Sequence, residues 1–256
     1  GKARFRCWAV HGATNFTKAL ADSCDVWFYD MSLRLHIDRL APVIKEFGIG
    51  QATGIDLPGE TRRKDNKLGN MPDPEWKKKR EHESWYPGDT LNTSIGQGYV
   101  LVTPLQMALA CATVANDGSL FKPYLLDEVR DTSGKLIKKT KPTLVRKVDA
   151  AYEHFELTKQ GMRAAVTSGT GKVCNMKDIA VAGKTGSAED PPRPAHGWFI
   201  CFAPMDNPQI AVACIVEHGR HGASTAAPVC RAILDVYFGK RKASQIKQGM
   251  TRTHGD

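Results

Sequence analysis

The chain has 256 residues, with 36 Lys+Arg against 27 Asp+Glu for a net charge of +9, and is 41% hydrophobic and 25% charged. That balance excludes wholesale disorder and describes a globular protein able to bury a core. The apolar runs are strand-sized and far short of the roughly 20 residues that a membrane helix needs, and residues 1–8 do not read as a signal peptide. The basic clusters at 77–80, 138–141 and 240–247 are dispersed and read as a solvated surface. No arginine-rich arm or interleaved aromatic strand points to nucleic acid, so none is expected as a partner.

In chain order, residues 15–48 read as three helices, Phe16–Asp22 behind an Asn15 cap, then 26–35 and 37–47, with Gly48 as the stop. The polar interruption between the first two is Ser23-Cys24-Asp25. Residues 50–98, rich in Gly, Pro and charge, read as long loops. Thr103-Pro104 is a strong helix start, and Asn116-Asp117-Gly118 ends that helix. Short strands or a hairpin are expected over 121–148, around Asp131–Gly134, and a further helix over 158–167. Strands follow at 179–185, 197–203 and 209–216, the last two joined by the turn-forming stretch 204–208. An apolar-faced helix at 226–238 precedes a basic tail from Lys240 that is expected to be disordered. Helices, then consecutive strands, then one helix predict an α+β fold with an antiparallel sheet flanked by helices. The seven cysteines are odd in number and suggest no disulfide framework. Cys111, Cys201, Cys214 and Cys230 fall in apolar patterns, where a free thiol behaves as a small hydrophobe.

Gly183-Lys184-Thr185 invites a phosphate-loop reading, but position 178 is Asp where that motif needs glycine. Lys184-Thr185-Gly186-Ser187 fits another chemistry better. A cation, two hydroxyls and a glycine on an edge strand place donors beside a ligand carboxylate and let the backbone come close. Serine β-lactam-binding enzymes combine a Lys-Thr-Gly strand with a Ser-x-Asn-like loop, here matched by Ser23-Cys24-Asp25, and with a Ser-x-x-Lys nucleophile. His196, His218 and His221 flank the strand pair; a metal use is one reading of them, and His218-Gly219-Arg220-His221 as a solvated loop after a strand is the other.

With those residues, the blocks 5–25, 50–57, 69–72, 88–90, 95–98, 103–108, 184–189, 198–204 and 226–229 resemble class B penicillin-binding proteins of the elongation type, in order from about residue 4 to 238. The resemblance implies a peptidoglycan D,D-transpeptidase. In that family a serine attacks the D-Ala-D-Ala carbonyl of a stem peptide and an amine resolves the acyl-enzyme, while β-lactams trap the serine. It implies proton relay by Ser23 and an orienting role for Asp25. Lys184, Thr185, Gly186 and Ser187 would hold the terminal carboxylate, and the Ser187 N–H would form half of an oxyanion hole. No cofactor is implied for catalysis. The implied partners are stem peptides, β-lactams and an elongation-complex glycosyltransferase. The implied place is the periplasmic face of the inner membrane, reached through an N-terminal anchor that this chain lacks.

Two Ser-x-x-Lys strings occur, Ser119-Leu120-Phe121-Lys122 and Ser244-Gln245-Ile246-Lys247, and neither context promises the helical turn that would set lysine beside serine. The chain is therefore expected to be the C-terminal part of a transpeptidase domain, residues 1–239, without its nucleophile, inactive and poorly folding alone. A non-catalytic scaffold module that keeps the pocket, and a β-lactamase or β-lactam sensor, are the alternatives. Finally, Cys7, His11 and Cys24 place three soft ligands close in sequence. They read either as a zinc site one ligand short of closure or as two thiols and a histidine in a packed subdomain. Some relatives are reported to bind zinc beside this loop.

Overall fold

The computed structural model describes residues 4–60 and 68–244. Three short helices open it, α1 (Phe16–Asp22), α2 (Asp25–Leu35) and α3 (Ile37–Glu46), within a residue of the expected bounds. The Asn15 side chain accepts from the Lys18 N–H at 2.9 Å and so fixes the start of α1. Residues 50–98 are not all loop, because α4 (Pro74–Arg80) and α5 (Pro87–Ser94) lie within them. Each begins with a proline at its first position, and the Asp73 carboxylate accepts from the Trp76 N–H at 2.8 Å. Nor is the cluster 77–80 wholly solvated. Lys77 is 2% exposed, pairs with Asp89 at 2.7 Å and lies over the Tyr86 ring at 4.8 Å. Here a buried ion pair ties α4 to α5 inside a stretch whose composition suggests loop.

Helix α6 (Pro104–Ala115) carries a capping box in which Thr103 and Gln106 satisfy each other's backbone N–H groups. Two small antiparallel pairs follow: β1 (Ser119–Lys122) with β4 (Thr143–Lys147), and between them β2 (Glu128–Arg130) with β3 (Leu136–Lys139). The string Ser119–Lys122 is thus a strand, with no helical turn to set its lysine against its serine. The second string reaches past Ser244 and lies mostly outside the described residues, as does the tail from 245 onward. Helix α7 (Tyr152–Thr167) starts well before the expected residue 158. Its first turn buries Phe155, but the next buried position on that face is Lys159, paired with Asp117 at 2.7 Å, and this charge interrupts the apolar periodicity.

The central sheet has the order β5 (Ala182–Asp190), β6 (Arg193–Ala203), β7 (Ile210–Val216), all antiparallel. β5 and β6 run further than expected and join in a hairpin at Pro191-Pro192, with Gly183 opposite Cys201 and Ser187 opposite Gly197. Alternation along β6 sends side chains to two cores. Phe199, Cys201 and Ala203 pack with Val166, Cys230 and Leu234 against α8 (Ala226–Tyr237). Phe202 and the partly buried Ile200 pack on the other face with Cys111 of α6, Met162 of α7 and Leu20 of α1. The sheet is therefore covered by helices on both faces, and β5 is one of its two edge strands. Cys111, Cys174, Cys201 and Cys230 are buried free thiols in these cores. Burial pushes the Cys174 thiol up to about 12, so it stays protonated and inert. Among the described residues, no helix is long and apolar enough to cross a membrane.

Candidate active site

Ser23 closes α1 in the left-handed region, at φ 55° and ψ 54°, which costs a non-glycine residue about 1–2 kcal/mol. Two contacts hold it there. The Trp8 indole N–H lies 3.1 Å from both the Asp22 and the Ser23 carbonyl oxygens, and the Cys24 N–H donates to the Ala19 carbonyl at 2.9 Å. Behind the turn, Gly169 at the end of α7 lies so close that an added Cβ would meet the Ala21 carbonyl oxygen at 2.1 Å. That glycine lets α7 press the Ser23 turn toward the sheet.

From the sheet side, the Lys184 ammonium of β5 donates to the Ser23 hydroxyl and to the Thr185 carbonyl at 2.8 Å. Residues 161 apart in sequence thus meet. Burial lowers the Lys184 ammonium to about 8, against the pull of the Asp25 carboxylate. Asp25 shifts the other way: burial raises its carboxyl, opposed by the Cys7 thiol, the Lys184 charge and His11. Thr185 and Thr170 share a hydroxyl–hydroxyl hydrogen bond of 2.6 Å, so the loop after α7 also borders the site. The structure brings Ser23, Asp25, Lys184 and Thr185 together, with Gly186 and Ser187 continuing along the open edge of β5. Thr170 and Gly169 carry no site signal in the sequence, where Ser168-Gly169-Thr170-Gly171 reads only as a helix stop.

Cys7, His11 and Cys24 also converge, with one potential ligand atom from each lying within 4.8 Å of the others. The Cys7 sulfur lies 3.5 Å from His11 Nδ1 and accepts from the Asp25 N–H at 3.3 Å. His11 Nε2 is buried and has no hydrogen-bond partner. A second group, Asp190, His196 and His218, gathers at the far end of the β5–β6 hairpin. There the His218 N–H donates to His196 Nδ1 at 3.0 Å, leaving the proton of the neutral ring on Nε2, which faces Asp190 at 3.4 Å. His218 Nδ1 faces the Pro194 carbonyl at 3.2 Å. A metal-bound imidazole carries its proton on the nitrogen away from the metal and donates it, the reverse of the His196 arrangement. This group is a hydrogen-bond clasp between the hairpin and the loop after β7. The reading of His218 as a solvated loop residue is corrected to that extent.

The Lys184 ammonium, the Ser23 hydroxyl and the Thr170 and Thr185 hydroxyls thus meet at one end of the edge strand β5. The family description "Penicillin binding protein transpeptidase domain" matches residues 1–235, and the chain belongs to that family. The peptidoglycan D,D-transpeptidase MrdA of Acinetobacter baumannii is 35% identical over 276 aligned residues, covering 98% of this chain and 39% of the relative. The penicillin-binding protein PBP2 of Helicobacter pylori, solved in complex with MreC, superposes with a TM-score of 0.78 at 31% identity, covering 93% of this chain and 43% of that one. A chain from a structure on the coordination of polymerization and crosslinking by a peptidoglycan synthase complex gives 0.79 at 32% identity, covering 93% and 40%. This chain thus spans about two fifths of the relatives' length.

Proposed function

We propose that this chain forms the carboxylate-binding side of a peptidoglycan D,D-transpeptidase site. The observation that carries the reading is the contact between the Lys184 ammonium and the Ser23 hydroxyl. It couples a cation placed to hold a D-alanyl carboxylate to a hydroxyl placed to pass a proton toward the leaving amine. Thr185 and Ser187 hydroxyls complete the carboxylate site, Gly186 lets the ligand backbone approach, and Asp25 orients Lys184 electrostatically. The Ser187 N–H, on the open strand edge, serves as one oxyanion donor, a contribution typically worth about 3–4 kcal/mol. No helix among the described residues carries Ser-x-x-Lys, so acylation needs a serine outside them. In the full assembly the partners are stem peptides, β-lactams and the elongation glycosyltransferase, at the periplasmic face of the inner membrane.

Zinc fits Cys7, His11 and Cys24. Their donor atoms are already gathered, with the Cys7 sulfur 3.5 Å from His11 Nδ1 and a water or carboxylate left to complete the shell. Bound there, zinc would supply a cross-link that holds the Ser23-Cys24-Asp25 turn, and it takes no part in the reaction itself. Metal analysis of the purified chain is expected to find one zinc per chain, lost together with thermal stability in Cys7→Ala/Cys24→Ala; zinc undiminished in that variant would sink the assignment.

The function itself is tested by calorimetric titration with diacetyl-L-Lys-D-Ala-D-Ala and with its C-terminal amide. A charge-assisted contact is worth about 1.5–3 kcal/mol, so the free acid should bind roughly 10- to 100-fold more tightly. Equal affinity for acid and amide would overturn the carboxylate site. Fluorescent penicillin should leave the chain unlabelled, and covalent labelling would refute the placement of the nucleophile outside it.

A further inference from the structure

We propose that Gln97 is a positioning residue that closes the outer edge of β5 and aims the Ser187 N–H at the ligand. The inference rests on the carboxylate-site reading and adds to it a residue from a loop 90 positions upstream. β5 is an edge strand, so the N–H and C=O groups of alternate residues point away from β6. The Gln97 carboxamide takes up two of them. Its Nε2 donates to the Ser187 carbonyl at 2.9 Å, and its Oε1 accepts from the Glu189 N–H at 3.2 Å. One side-chain amide therefore does what a segment of a neighbouring strand would do, at the point where the outward groups of Ser187 and Glu189 would otherwise be open. Because both backbone groups of one residue in an antiparallel strand face the same side, the Ser187 N–H also faces outward, immediately beside the closed position.

The loop that presents Gln97 is shaped for the task. Gly96 and Gly98 flank it at φ +76° and +69°, a conformation open to glycine at little cost. The Gln97 N–H is anchored on the Asn92 carbonyl at 2.9 Å, and a Cβ on Gly98 would stand 3.1 Å from the Asn92 Cβ. The clamp fixes the peptide plane between Ser187 and Ala188, and it ends the edge available to a ligand at Ser187. A donor peptide can then pair with the strand only as far as the carboxylate-holding segment.

The test uses the whole chain, isotope-labelled, in the Gln97→Ala and Gln97→Glu variants. Amide hydrogen exchange is read at Glu189 and at Ala188, whose partner in β6 is His196, and affinity is read with diacetyl-L-Lys-D-Ala-D-Ala. In Gln97→Ala, exchange at Glu189 should rise at least tenfold while Ala188 stays protected, and affinity should fall five- to tenfold. Gln97→Glu keeps an acceptor for the Glu189 N–H but loses the donor to the Ser187 carbonyl. Slow exchange at Glu189 should therefore persist while affinity falls as in the alanine variant, a split that general loosening of the fold would not produce. Unprotected Glu189 in the wild type, or affinity unchanged in both variants of a chain that binds the peptide, overturns the clamp. A wild type that binds no peptide while Glu189 is protected overturns the carboxylate-site reading and the ligand-aiming role together, and leaves the amide bridge standing.

Discussion

Replacing Lys184 with methionine should stabilise the chain at neutral pH while removing its ligand site. Burial lowers the Lys184 ammonium from 10.5 to about 8. The unfolded chain then binds more protons than the folded one between those two values, so stability rises as pH climbs from 8 to 10.5. Below pH 8 the folded state carries the full cost of keeping a desolvated charge, about 3 kcal/mol for a shift of that size. By pH 10 roughly 1 kcal/mol of it remains. Methionine fills a similar volume without the charge. Urea unfolding of wild type and Lys184→Met should therefore differ by an amount that shrinks by about 2–3 kcal/mol between pH 7 and pH 10. Groups that titrate equally in both proteins cancel. The contacts to Ser23 and Thr185 are lost at every pH and enter only as a constant offset. A pH-independent difference would show that Lys184 titrates normally, and the picture of a desolvated cation poised beside Ser23 would fail.

Substitutions at three positions probe the supports of the site. Ser23→Gly relieves a φ of 55° and should raise unfolding stability by about 1 kcal/mol while weakening ligand binding, whereas Ser23→Val, β-branched in the left-handed region, should lower stability by at least as much. Gly169→Ala forces a Cβ toward the Ala21 carbonyl oxygen, 2.1 Å away; it should cost about 1–3 kcal/mol by denaturant unfolding and shift the Ser23 and Cys24 amide resonances. Phe199→Ala empties a fully buried position under α8 and should cost about 3–5 kcal/mol in urea unfolding without moving the resonances of Cys7 or His11.

What could be read from the sequence followed local signals. Asn15, Thr103-Pro104 and Asn116-Asp117-Gly118 announce helix ends through capping chemistry, and those ends fall where expected. The strands β6 and β7 are legible because their apolar residues fill two cores. By contrast α4 and α5 hide in a charged stretch, since their stability comes from Lys77 buried against Asp89, a pairing that no periodicity reveals. The β5–β6 hairpin is longer than expected because its outer half is polar and is held by backbone pairing and the His196–His218 clasp. Ser23, Asp25 and Lys184 were legible as motifs, but that Lys184 reaches Ser23 is a fact of the fold. Gln97 stood within a recognisable Gly-Gln-Gly loop, yet its target lies on a strand far along the chain. Thr170 gave no signal beyond a helix stop.

The most direct measurement of the central claim is a two-dimensional amide spectrum of the labelled chain during titration with diacetyl-L-Lys-D-Ala-D-Ala. Shifts should concentrate at 184–187, at Ser23 and at Thr170, saturate together, and vanish in Lys184→Met. Shifts that gather elsewhere, or that survive the loss of the Lys184 ammonium, would contradict that claim.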